Sequence, residues 1–300
     1  MEHFIKEGKL DELLIVFSPI NIPSGKFGFS RYFKDDERTI LFFNCQNTWY
    51  VDCIEEMLQI VENTLQKFSP LGVVFYGASM GGYAAARIGG MYPQYPTFLF
   101  GPEVRLYIEG SLSWKHATIK NDNVDLNYYT KLDFSNTVVL FGIYEPIDLI
   151  QYKESINLGF FTSIPIKSPH AVHEEFYYRN TIRSLSNSRT CKEFVSNIPQ
   201  EYVDCNPPTD SANLLYNTYF QKYTSDLLSN SGLGDFEQLV SIDHPAAYWV
   251  ILRAAGRTRN KELLISTKTK LLDYFNFDNS SGFEMPEKIQ KEIVRWESKL

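Results

Sequence analysis

An α/β fold, with a mostly parallel sheet flanked by helices and an all-helical C-terminal region after it, is predicted on three observations. Short unbroken apolar runs of strand length recur between Leu13 and Pro169, stretches with helical spacing lie between them, and after Asn187 only helical stripes remain. Apolar runs without alternation suit strands buried on both faces, as in a parallel sheet. Strand and helix in alternation require crossover connections of one hand.

The predicted strands are Leu13–Pro19, Thr39–Cys45, Leu71–Ser79, Thr97–Val104, Thr137–Tyr144 and Phe160–Pro169. Between them, Val51–Phe68 aligns Ile54, Met57, Leu58, Val61 and Leu65 on one helical stripe. Gly81–Met91 reads as a helix of small residues, and Val172–Leu185 as a further helix. These elements make a first domain of residues 1–188, with a helical region over 189–300. In that region Asp210 caps a helix through Leu227, with Leu214, Leu215, Tyr219, Tyr223 and Leu227 inward. Asp243 or His244 caps another that runs to Gly256, with Pro245 in its first turn, where a missing N–H does no harm. Pro286 opens the last, which ends near Leu300.

Charge and cysteine usage narrow the function classes. The 300 residues carry 29 Lys and Arg against 36 Asp and Glu, a net charge of -7 with no basic run. Phosphate backbones and anionic bilayer surfaces both demand a positive face, so neither nucleic acid nor a membrane surface is an expected partner. No apolar stretch reaches the roughly 18 residues of a bilayer span, and the charged start MEHFIKEGKLDELL does not read as a secretory signal. Cys45, Cys53, Cys191 and Cys205 form no CxxC pair and read as buried thiols of a reducing compartment. The expectation is a cytoplasmic protein without metal or cofactor.

The most informative stretch is VVFYGASMGGYAAAR, Val73–Arg87: a strand, then G-x-S-x-G, then a small-residue helix. A nucleophile on a sharp strand-to-helix turn needs neighbours with almost no side chain, because the turn is strained and the helix passes close to other strands. Gly77, Gly81 and Gly82 meet that need around Ser79, and Ala84–Ala86 allow close packing. The helix N-terminus adds a positive dipole end, and the N–H of Met80 would face a developing oxyanion. The competing reading is a tight turn whose serine only caps the helix.

A nucleophilic serine needs a base and a group to orient it. Glu145 and Asp148 follow the Thr137–Tyr144 run, and His170 and His173 follow Phe160–Pro169, in the chain order serine, acid, histidine. Glu145 is placed ahead of Asp148 as the acid, and His170 ahead of His173 as the base, His173 being read as a helix-surface residue. HAVHEE puts two histidines on one helix face, but no third ligand cluster accompanies them.

Residues 13–187 resemble the α/β-hydrolase superfamily through GASMGG, the Gly142-Ile143-Tyr144-Glu145 turn and the post-strand His170. LLIVFSP, FSRYF and NTWY together are similar to the hydrolase-like proteins of bacterial surface polysaccharide and glycoprotein export loci. Glu145 departs from the commoner Asp, and Pro169 from the glycine that often precedes the histidine. The resemblance implies an α/β-hydrolase-like sheet and a serine esterase, deacylase or acyl transferase working through Ser79, His170 and Glu145 or Asp148. Its substrate would be a small-molecule or glycoconjugate ester. A second oxyanion donor is expected from the loop after the first core strand, where Pro19 lacks an N–H and Ile20 is the nearest candidate. Arg31 and Trp49-Tyr50 lie in loops expected at the same sheet edge, for substrate or as buried aromatics, while His116 and His244 read as structural. The alternative is a non-catalytic hydrolase-fold scaffold whose helical tail binds a partner protein.

Overall fold

Strands that are apolar without alternation need cover on both faces, which a sheet between layers of helices supplies. In the computed structural model, which describes residues 1–117, 132–179, 181–220, 238–278 and 284–298, seven strands lie in the order β1-β3-β2-β4-β5-β6-β7. They are β1 (Glu2–Lys6), β2 (Leu10–Phe17), β3 (Arg38–Asn44), β4 (Gly72–Ala78), β5 (Thr97–Phe100), β6 (Thr137–Gly142) and β7 (Thr162–Ile166). β2 runs parallel to β3 and β4, β4 to β5, and β5 to β6, while β1 pairs antiparallel with β3. Every residue of β3, β5 and β6 is buried.

The edge strand β1 is absent from the sequence reading. Its EHFIK has charged ends and a half-exposed pattern, which a search for unbroken apolar runs passes over and which protects a sheet edge. β5 stops at Phe100, short of the expected Val104, because Gly101 turns to φ 53° and Pro102 has no N–H to offer a ladder.

The chain divides into two compact units, one of Met1–Leu140, Glu154–Ile164 and Phe176–Ile198, the other of Phe141–Lys153, Pro165–Glu175 and Pro199–Leu300. A single cut near residue 188 does not describe them, because the segments after β6 and β7 belong with the C-terminal helices. In the first unit, α1 (Ile54–Phe68) buries Ile54, Met57 and Val61, and its Glu55, Glu56 and Lys67 sit at the dipole ends that favour them. α2 (Met80–Gly89) follows β4 directly, and α3 (Leu112–His116) begins at Ser111, whose hydroxyl accepts the Trp114 N–H.

α4 (Pro146–Ser155), which the sequence reading lacked, opens on a proline after Glu145. The expected Val172–Leu185 helix is two, α5 (Val172–Tyr178) and α6 (Ile182–Ser186). Between them the Thr181 N–H and hydroxyl both donate to the Phe176 carbonyl. α7 (Cys191–Ser196) stacks Phe194 on Phe98 of β5 at 4.2 Å between ring centres.

In the second unit, a 3-10 turn at Thr209–Ser211 leads into α8 (Ala212–Phe220), with Leu215 buried and Leu214 half-buried; Tyr223 and Leu227 lie outside the described residues. α9 (Pro245–Thr258) is capped by His244, whose Nδ1 accepts the Ala246 N–H at 3.1 Å. His244 Nε2 lies 2.9 Å from the buried Asp204. α10 (Lys261–Asp278) was not foreseen, since Thr267 stands between Leu264 and Leu271 on its buried stripe. α11 (Glu287–Glu297) follows Pro286 and buries Ile289, Ile293 and Trp296. All four cysteines are free thiols, with Cys45 and Cys191 buried but Cys205 exposed. Among the described residues no helix is long and apolar enough to cross a membrane.

Candidate active site

Ser79 occupies the one residue between the end of β4 and the start of α2, at φ 52° and ψ -120°. A non-glycine residue there is strained by about 1–3 kcal/mol and persists only where its surroundings enforce it. The enforcement is visible. The Ser79 N–H donates to the Phe100 carbonyl of β5 at 2.9 Å, and its own carbonyl accepts from Gly82 and Tyr83 in the first turn of α2. A Cβ on Gly77 would stand 2.2 Å from the Gly81 carbonyl oxygen, and one on Gly81 would stand 2.1 Å from that of Phe17. Only glycine lets α2 pass this close to the ends of β2 and β4. Met80 is the first residue of α2 and is fully buried, and its N–H belongs to the first turn, where no intrahelical acceptor exists. Ile20 lies half-buried in the turn after β2. That turn is held by Ser18, whose hydroxyl accepts the Gly28 N–H at 2.9 Å and whose carbonyl accepts the Tyr50 hydroxyl.

In the second unit the structure joins an acid and a histidine. Both carboxylate oxygens of Asp148, in the first turn of α4, lie 2.8 and 2.9 Å from His170 Nδ1. Asp148 is buried and His170 is partly exposed. Burial is the largest influence on each. It disfavours the imidazolium, but the facing carboxylate outweighs it and leaves His170 above its ordinary value; burial raises Asp148 as well.

The other acid does something else. Glu145, on which the sequence reading placed the greater weight, points its Oε1 to Arg253 of α9 at 3.2 Å, and Lys288 of α11 approaches its Oε2 at 3.8 Å. Arg253 lies 108 residues away in sequence, so no local pattern announces the pair. His173, expected on a helix surface, is buried in α5, and burial pushes its imidazole down to about 3.

Trp49 and Tyr50 are both fully buried at positive φ, with the Tyr50 hydroxyl proton shared between the Ser18 and Phe43 carbonyls, just past β2 and near the end of β3. Arg31 and His116 are exposed. Among the described residues no group of three His, Cys, Asp or Glu is arranged to hold a metal ion.

No family model matches this chain, and no curated protein matches it either. Solved structures do. The capsule O-acetyltransferase of Neisseria meningitidis serogroup A is similar at 18% identity over 60% of this chain and 90% of its own, with a TM-score of 0.44. Carboxyl esterase 2 of the mycorrhizal fungus Tuber melanosporum is similar at 13% identity over 65% and 82%, with a TM-score of 0.45. A serine hydrolase without lid from Xanthomonas campestris is similar at 11% identity over 60% and 85%, with a TM-score of 0.40. A mostly parallel seven-stranded sheet, flanked by helices and carrying a strand–serine–helix turn, gives this chain an α/β-hydrolase-like fold.

Proposed function

We propose that this protein is a serine-dependent ester hydrolase or acyl transferase, with Ser79 as nucleophile, His170 as general base and Asp148 as the group that orients the imidazole. The observation that carries the reading is the backbone of Ser79: a positive-φ serine between β4 and α2, enforced by two glycines that tolerate no side chain. A serine that merely capped a helix would need no such conformation, since N-caps take ordinary extended angles.

In this reading Asp148 accepts the His170 Nδ1–H and leaves Nε2 as the base. Ser79 Oγ attacks the ester carbonyl carbon while its proton passes to Nε2. The Met80 N–H, with Ile20 or a neighbour in the turn after β2, receives the oxyanion. Collapse expels the alcohol, which takes the proton from Nε2, and leaves an acyl group on Ser79. Water or a sugar hydroxyl then attacks, and release of Ser79 regenerates the enzyme. The substrate we assign is a carbohydrate or glycoconjugate ester, and no step requires a cofactor.

The test is fluorophosphonate labelling of the purified protein, with the modified peptide located by mass spectrometry. Labelling at Ser79 that disappears in Ser79→Ala and falls in His170→Ala is the expected result. A folded wild type that stays unlabelled would overturn the proposal.

A further inference from the structure

We infer that the concavity built by the 22–34 segment and β1 is a binding subsite for an acidic oligosaccharide, a sugar chain bearing carboxylate or phosphate groups. This deepens the reading above, on which the carbohydrate half of the assignment rests. The concavity has a volume of about 710 Å³, within the range of small-molecule clefts. Four cations line it, Lys6, Lys26, Arg31 and Lys34, and none of its lining residues is acidic. That is an unusual balance in a chain of net charge -7.

The cations divide by role. Lys6 Nζ donates to the carbonyls of Phe33, Lys34 and Asp36 at 3.0, 2.9 and 2.7 Å, which pins the segment to β1. Lys26, Arg31 and Lys34 are exposed, and among the described residues their side chains make no hydrogen bond or ion pair. Glu2, on the same strand as Lys6, has its carboxylate engaged by the Ser24 hydroxyl and the Gly25 N–H. Three charged donors are therefore available to an incoming anion.

The walls are aromatic. Phe4 packs on Phe27 and Phe42 yet is 51% exposed, and Tyr32 and Tyr177, at 38% and 47%, meet edge to face at 4.7 Å. Exposed rings of this kind offer apolar faces to the C–H faces of sugars, and the tyrosine hydroxyls offer hydrogen bonds. The Phe4–Phe27, Phe4–Phe42 and Tyr32–Tyr177 rings already touch, with centres 5.9, 6.4 and 4.7 Å apart, so no two of them leave room for a nucleobase between them. A charged sugar chain suits the exposed ring faces and the three available cations together. The segment is also tied to the proposed oxyanion turn, since Gly28 donates to Ser18 Oγ and lies against Pro19.

The test uses the full chain carrying Ser79→Ala, so that binding is read without turnover. Titration calorimetry compares hexagalacturonate, the neutral maltohexaose and a ten-nucleotide oligothymidylate. Hexagalacturonate should bind about tenfold or more tightly than maltohexaose. Its affinity should fall about tenfold in Lys26→Gln/Arg31→Gln/Lys34→Gln and weaken as salt is raised. Tyr177→Ala should weaken it too, while Lys192→Gln on α7 should not. No binding of hexagalacturonate, equal binding by the triple variant, or tighter binding of the oligothymidylate would each overturn the inference. Acidic-sugar binding by a protein whose wild type resists fluorophosphonate would sustain the subsite and sink the Ser79 proposal; labelling of Ser79 without such binding would do the reverse.

Discussion

Asp148 faces His170 with both carboxylate oxygens, at 2.8 and 2.9 Å from Nδ1, whereas Glu145, three residues earlier, faces Arg253 and Lys288. The two acids are therefore separable by substitution. Asp148→Asn should cut kcat/KM on a p-nitrophenyl ester by about 10³–10⁴, because the amide supports the wrong imidazole tautomer. Glu145→Gln should cost less than about tenfold. Equal losses in the two variants would contradict the assignment.

The carboxylate beside His170 raises its folded value above the ordinary 6.5, so the imidazolium persists at pH 6.5 and the free base emerges only at higher pH. The rising limb of kcat/KM against pH should therefore lie above 6.5 in the wild type and move down in Asp148→Asn, within what activity remains. His173, at about 3, stays neutral across that range, and His173→Asn should leave the limb where it is.

Gly81→Ala places a Cβ 2.1 Å from a backbone carbonyl, where no flexible side chain can give way. Overpacking of this kind costs about 1–3 kcal/mol, with the upper end expected here, read as a lower guanidinium midpoint at unchanged m. Labelling of Ser79 should fall with it, because the elbow must shift.

Glu145 ties the helical tail to the segment that carries the acid and the histidine. Arg253→Met should destabilise the protein by about 1–3 kcal/mol by removing a charged donor from a buried carboxylate that keeps Lys288 nearby, and adding Glu145→Gln should recover part of that loss. Deletion of residues 210–300 should abolish ester turnover. A truncated protein with full activity would show that the tail takes no part in turnover.

His244 Nε2 holds the Asp204 carboxyl below its ordinary value against the opposing effect of burial. A depressed carboxyl contributes stability that is present above its unfolded value of about 3.9 and is lost as pH falls through the folded one. Asp204→Ala should lose about 1–3 kcal/mol at pH 7 by leaving the imidazole unsatisfied. It should also show a shallower decline than the wild type below pH about 4, measured by urea titration.

The sequence by itself determined the features that rest on local chemistry. Unbroken apolar runs marked β2 to β7, because a strand covered on both faces needs no polar alternation. Gly77, Ser79 and Gly81 marked the elbow, because only glycine tolerates carbonyls 2.1–2.2 Å from a would-be Cβ. Pro245 and Pro286 marked helix starts for a similarly local reason. What depended on distant partners was decided by the tertiary structure. Glu145 and Asp148 lie three residues apart with the same chemistry, and only packing gave one an arginine from α9 and the other an imidazole from beyond β7. His173 shows a helix-surface pattern in sequence, yet it is buried once α5 is packed. The cations at 26, 31 and 34 read as an ordinary loop until β1 returned antiparallel along β3 and brought Phe4 and Lys6 beside them. Backbone strain and strand burial are written into neighbouring residues, whereas the choice of partner for a charge depends on which segments fold back upon it.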